Sequence, residues 1–366
     1  MPNIVLKIWA VRMISLYVNS NEMLRNIIVA IVGLVLTGSF INSPGKSYPE
    51  KLSDWKIFEG KMNSLKPAKG VVPYALNTPL YTDYAEKLRF VRLPLGKQAK
   101  YTEKGVLVFP EGTVLIKNFY YSADFRKPGI NKNIVETRLL IKEEENWKAI
   151  TYVWNDEQTD AELEIAGDDK QVHFIDKDGN TQQVRYVIPN QNQCKGCHNV
   201  NDKIMPIGPS AAELNGKYGY TTGAKNQIEY WKAHNLLLGA PALSTIAKTA
   251  VWNDPSTGDL NARARAYLAI NCAHCHRREG PAQTSGLFLT EDEKNMTAFG
   301  INKPPVAAGK GSGGRMVDIK PGDANASIIW YRMQTTDPGE RMPELGRNMV
   351  HKEGLALIKE WIDQMK

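Results

Sequence analysis

All four cysteines of this 366-residue chain fall in two copies of one pentapeptide, Cys194-Lys195-Gly196-Cys197-His198 and Cys272-Ala273-His274-Cys275-His276. Two thiols three residues apart reach the two vinyl groups of one porphyrin, and the imidazole that follows lies under the iron as its proximal ligand. This is the attachment signature of c-type haem, and it predicts two covalently bound haem c groups. Cys194, Cys197, Cys272 and Cys275 would form the thioethers, and His198 and His276 would be the proximal iron ligands. A Cys-x-x-Cys pair also suits zinc, and two pairs 78 positions apart can make one tetrahedral site. Two small disulfides or a redox dithiol use the same residues. Neither alternative needs a histidine directly after the second cysteine, and here it occurs both times.

Each iron needs a sixth partner, usually a thioether or a second imidazole. For the second haem the expected ligand is Met342. It lies 66 positions after His276, just before the closing helix, in Arg341-Met342-Pro343-Glu344-Leu345-Gly346. That loop resembles the Met-Pro loop that presents the distal sulfur in class I cytochromes c. Met333, on a helical run from Ser327, reads as core, and Met316 in a glycine-rich loop is the next choice. For the first haem, no methionine occurs between Pro206 and Lys294. The choices are Met205, His234 on an amphipathic run from Asn226 to Leu238, His173 from the β-rich half, or an open, water-filled position. Six-coordinate haems move electrons, whereas an open iron activates peroxide or binds small gases. His274, between its cysteines, reads as an exposed loop side chain.

The elements that would carry these residues divide the chain. From 47 to 190 the pattern is β-rich: short runs such as Leu88–Leu93, Thr113–Tyr121, Thr137–Ile141 and Ala149–Trp154 are broken by turn signals, as at Lys177-Asp178-Gly179-Asn180. Seven or so strands predict an antiparallel sandwich or barrel. After Pro189 helices and loops take over, with a first haem segment at 191–254 and a second, cytochrome c-like domain at 255–366. Asp259 is placed to cap a helix from Leu260 into Cys272. The last helix, from about Lys352, puts Leu355, Ile358, Trp361 and Ile362 on one face. The expected class is therefore α+β, a β-rich domain followed by mainly helical haem domains.

The remaining segment, 1–46, holds the one long apolar stretch, Ile27–Ile41 after Arg25. It is short for a membrane span and suits a signal-peptide core, so this segment is expected to be a signal peptide or an N-terminal anchor. Export, to the periplasm or an equivalent space, fits thioether attachment, which takes place outside the cytoplasm. The net charge is +7, and residues 47–190 hold 21 bases and 21 acids, so the surplus lies outside the β-rich part. No basic block or aromatic-basic stripe appears, which argues against nucleic acid as a partner. Gly309–Gly314 follows no strand and opens no helix, so it reads as a flexible insertion and not a phosphate cradle.

Several longer stretches carry a wider likeness. They include Pro73-Tyr74-Ala75-Leu76-Asn77-Thr78-Pro79-Leu80, Phe109-Pro110-Glu111-Gly112-Thr113-Val114-Leu115-Ile116-Lys117, Tyr152-Val153-Trp154-Asn155, Pro206-Ile207-Gly208-Pro209 and Gly354–Ile362. Through them the chain resembles a family of bacterial two-haem c-type cytochromes with a β-rich N-terminal region, and its last domain resembles class I cytochrome c. Gly208-Pro209 matches the Gly-Pro that, in class I cytochromes c, accepts the ring N–H of the proximal histidine. The resemblance implies an exported electron carrier between redox partner proteins. Two alternatives remain: a peroxidase-like oxidoreductase with one open iron, and a binding module with the haem part appended.

Overall fold

Strands that alternate in side-chain direction can serve two cores at once, and that is how this chain is organised. The computed structural model describes residues 47–366, so the expected signal peptide or anchor lies outside the described residues. Six strands form an antiparallel sheet in the order β1-β2-β4-β5-β6-β7. They are β1 (Val71–Tyr74), β2 (Glu86–Arg92), β4 (Val114–Ser122), β5 (Lys132–Glu143), β6 (Asn146–Trp154) and β7 (Ala161–Glu164). The short β3 (Ala99–Lys100) pairs in parallel with Leu237–Leu238. The sheet is open, with β1 and β7 as its edges, so the expected sandwich or barrel resolves into one sheet with a hairpin beside it. That hairpin is β8 (Asp168–Ile175) and β9 (Thr181–Ile188), joined by the turn expected at Lys177–Asn180.

One face of the sheet packs Phe90, Ile116, Leu139, Tyr152 and Trp154 beneath the segment that precedes β1. Phe58 meets Phe90 edge-on at 5.5 Å, and Trp55 Nε1 donates to Tyr152 Oη at 2.6 Å. The other face carries two separate apolar clusters. Towards one end Val91, Leu115 and Trp147 pack with Leu214 and Trp231. Towards the other Phe119 and Tyr121 pack with Val172, Phe174, Val184 and Tyr186 of the β8–β9 hairpin.

Six α-helices follow among the described residues, α1 (Gln191–Cys197), α2 (Ala211–Leu214), α3 (Gln227–Ala233), α4 (Leu260–Asn271), α5 (Ile328–Gln334) and α6 (Lys352–Asp363). Helix α3 is shorter than the expected Asn226–Leu238. Asn235 turns left-handed (φ 55°), which ends the helix and frees Leu237–Leu238 to pair with β3. Helices α4, α5 and α6 share a core built on Leu268, Phe299, Trp330, Ile358 and Trp361. None of the helices among the described residues is long and apolar enough to cross a membrane.

Two carboxyls tie these layers together. Asp83 Oδ1, buried after β1, accepts the N–H groups of Asn348 and Met349 at 2.6 and 2.7 Å. Glu213 Oε2 accepts the Thr78 N–H at 3.0 Å. Burial pushes Asp83 up from 3.8 to about 6 and Glu213 up from 4.5 to about 7, against the hydrogen bonds that favour ionisation. The folded chain therefore keeps protons that the unfolded chain has released. The stability these two groups contribute is complete below their unfolded values and is lost as pH rises through the folded ones. The half-buried Asp124 and the exposed Asp169, held low by hydrogen bonds from Arg126 and Arg185, act at lower pH with the opposite sign. Burial lowers His198, His276 and His351 to about 4, and these act with the opposite sign below about 6.5, so the carboxyl contribution is read as a difference between variants. Relative to the parent, Glu213→Gln, which keeps an acceptor for Thr78 and cannot ionise, should gain stability as pH rises from 4.5 to about 7; a difference independent of pH would exclude Glu213 as a contributor.

Candidate functional site

A capping box sets the first pentapeptide. Asn190 Oδ1 accepts the Gln193 N–H and Gln193 Oε1 accepts the Asn190 N–H, both at 2.9 Å, so α1 begins just ahead of Cys194. The second pentapeptide leaves the end of α4, which Asp259 caps through the Ala262 N–H at 2.7 Å, as the sequence led us to expect. In each, the histidine N–H donates to the carbonyl of the first cysteine at 2.9 Å. Both motifs are thus single helical turns, in which residues three and four apart share a side. That gathers Cys194, Cys197 and His198 in one turn and Cys272, Cys275 and His276 in the other.

The two turns abut. A sulfur from Cys197, a sulfur from Cys275 and a ring nitrogen of His274 lie within 4.8 Å of one another. The Asn201 N–H donates to the Glu279 carbonyl at 3.1 Å, fastening the loops behind the turns. The Cys275 Sγ–H donates to the Gly196 carbonyl at 3.6 Å, and its nearness to Cys197 holds the Cys197 thiol below the usual range while raising the Cys275 thiol. His274, expected in an exposed loop, is only 6% exposed with Nδ1 unpartnered, because its turn is pressed against the other one. The four thiols do not converge on one point, since Cys194 lines a different cavity from the other three.

The larger cavity, about 340 Å³, is lined by Cys272, Cys275, His276, Met333 and Met342, with apolar walls such as Leu289 and Ile329. His276 and Met342 thus border one space, and the Met342 N–H is anchored on the Arg332 carbonyl at 2.9 Å. Burial lowers the His276 imidazole to about 4 and raises the Cys272 thiol to about 12. Met316 is 79% exposed, while Met333 is core as expected and borders the cavity too. Residues that sequence reasoning missed complete the wall. Tyr81 stacks on His351 at 4.2 Å, and His351 Nδ1 lies 2.9 Å from Tyr267 Oη. Arg347, buried, donates to the carbonyls of Met333, Thr335 and Arg332.

The smaller cavity, about 80 Å³, joins Cys194 and His198 to Arg89, Lys117 and Arg138 on the sheet. His198 Nδ1 sits 2.9 Å from the Met205 carbonyl, and the Met205 N–H returns to the His198 carbonyl at 3.0 Å. A carbonyl can only accept, so the proton is on Nδ1 and the lone pair on Nε2. The acceptor is therefore Met205 and not the Gly208-Pro209 unit. The Pro209 carbonyl accepts the Leu107 N–H instead, at 3.1 Å. Burial lowers the His198 imidazole to about 4.

None of the side chains considered as its distal partner lines either cavity. Met205 has its peptide at the Nδ1 edge of the ring and packs with the core around Trp231. His234 is exposed, stacked on Tyr230 at 3.9 Å. His173 is exposed on β8. The charged residues that do line the smaller cavity left a faint signal. Arg89, Lys117 and Arg138 stand at the same alternation parity as the buried Val91, Leu115 and Phe119.

Comparison with protein-family models, with curated proteins and with solved structures finds no match.

Glu136, fully buried, accepts from Arg138 Nε and Nη2 at 2.8 and 2.5 Å and from Tyr186 Oη at 2.6 Å. Glu136→Gln leaves the guanidinium uncompensated among neighbouring cations, and breaking such a pair from one side costs about 3–5 kcal/mol. The urea midpoint should fall accordingly; a loss below about 1 kcal/mol would mean that the pair behaves like a surface one.

Proposed function

We propose that this chain is an exported two-haem c-type cytochrome that carries electrons between partner proteins. The observation that carries the proposal is the meeting of the two Cys-x-x-Cys-His turns at Cys197 and Cys275, with ligand atoms within 4.8 Å. Groups attached to those sulfurs would adjoin at their thioether edges. Haem c supplies a one-electron ferric/ferrous couple when bound.

The chain's residues suit that cofactor. Each thiol can add its S–H across one vinyl C=C, a step that needs no oxidant and leaves no by-product. His276 and Met342 border the larger cavity as proximal and distal candidates, and its apolar walls would keep water away. The Met205 carbonyl holds His198 in the tautomer with a free Nε2. The packing of α4, which delivers the second motif, against α6, which closes the chain, supports a likeness of 255–366 to class I cytochrome c. Export is part of the proposal because thioether attachment takes place outside the cytoplasm.

The trio Cys197, His274 and Cys275 favours a second reading, a single metal ion such as zinc held between the turns. The two readings separate cleanly by mass. Protein matured in a host competent for cytochrome assembly should carry two haem increments. The Cys272→Ala/Cys275→Ala double variant should keep one. Met342→Ala should keep both and lose the sulfur-to-iron band near the red end of the visible spectrum. A bare polypeptide mass with stoichiometric zinc would overturn the cytochrome reading. A high-spin component in the oxidised spectrum of the parent, alongside an intact sulfur-to-iron band, would mark the first iron as open and favour a peroxidase-like activity.

A further inference from the structure

We propose that Arg89, Lys117 and Arg138 form a built site for a carboxylate or small oxyanion on the sheet beside His198. The site itself stands without the cytochrome proposal; only the identity of its occupant rests on it. In the strand register Arg89 is opposite Lys117, and Lys117 is opposite Arg138, so three cations lie in one row across β2, β4 and β5. Like charges directly opposite one another on a sheet are destabilising. Within this row the only ion pair is that of Arg138 with Glu136.

Arg89 is 8% exposed, yet it makes no hydrogen bond or ion pair, and it lines the smaller cavity with Cys194 and His198. Lys117 makes no hydrogen bond or ion pair; the Phe119 ring lies 4.7 Å from its Nζ, and burial and Arg89 push its amine below the usual range against the pull of Glu136. Glu213 interacts electrostatically with Arg89 without a hydrogen bond or ion pair to it, and its carboxyl accepts the Thr78 N–H. Along the strands the row lies between the two apolar clusters, with Lys87 and Glu136 on the same face in the next row. A buried guanidinium without an acceptor, aimed into a gap with a second free cation, is a receptor for negative charge.

Position along the row indicates how an occupant would lie. Arg138 interacts electrostatically with Cys194 and Lys117 with His198, which leaves Arg89 at the end away from the cysteine. A porphyrin tethered at its thioether edge carries its two carboxylates on the opposite edge. The same chemistry would also take a free carboxylate from solution.

The test uses the full-length holoprotein, its haem count fixed beforehand by intact mass, so failure of the cytochrome proposal is seen separately. Arg89→Gln, Lys117→Gln and the exposed-site control Lys61→Gln are compared by redox titration and by succinate binding. If haem carboxylates occupy the row, Arg89→Gln and Lys117→Gln each move one haem to a more negative potential and leave the other unchanged. If a free carboxylate occupies it, succinate binds the parent chain and binds both variants roughly tenfold more weakly, equivalent to about 1.4 kcal/mol. Arg89→Lys, which keeps the charge, should restore much of either effect and guards against a variant that fails to fold. In a chain without haem, the succinate arm decides alone. Potentials and succinate binding in both variants indistinguishable from Lys61→Gln would overturn the proposal.

Discussion

The approach of Cys197 to Cys275 is the constraint around which the rest of the molecule is arranged. Two turns 78 positions apart can meet only if the chain between them leaves and returns under control. The short segment after β1 does this. Asn77 Nδ2 donates to the carbonyls of Ala212, Asn215 and Thr249, and Thr78 Oγ1 donates to Ala250 at 2.6 Å. Gln227 closes a pair of bonds with the Ala75 peptide at 2.8 and 3.0 Å. One extended stretch therefore holds both the outgoing and the returning limb. Its side chains supply donors to main-chain carbonyls on both limbs.

The sheet serves this arrangement unevenly. Its face towards the N-terminal segment is an ordinary apolar core with a small satisfied polar network, in which Thr137 Oγ1 donates to Asn118 and accepts from Trp154 Nε1. Its other face is interrupted by charge where the first motif docks. Stability and chemistry compete on that face: the apolar clusters on either side hold it together, and the cations between them weaken it until negative charge is present.

Much of this was legible in the sequence, for physical reasons. Runs of β-branched and aromatic residues marked β2, β4, β5 and β6, because such residues pack well on a pleated surface. The Asp259 cap and the apolar stripe of the last helix were equally readable, since both follow from local periodicity. What could not be read was anything set by contacts distant in sequence. The burial of His274 comes from the docking of one turn on another. The diversion of Leu237–Leu238 into a parallel pair comes from β3, more than a hundred positions earlier. The acceptor for His198 was misplaced because a proline motif is visible in sequence and an ordinary peptide carbonyl is not.

The larger cavity is closed by residues from opposite ends of the described chain: Tyr81 stacks on His351, Asp83 holds Asn348 and Met349, and Tyr84 Oη donates to Glu353 at 2.9 Å. During synthesis the loop bearing Tyr81 and Asp83 leaves the ribosome some 265 positions ahead of its partners. The wall therefore cannot be completed as the polypeptide emerges. Until the closing helix folds back onto that loop, the second Cys-x-x-Cys-His turn stays accessible from that side.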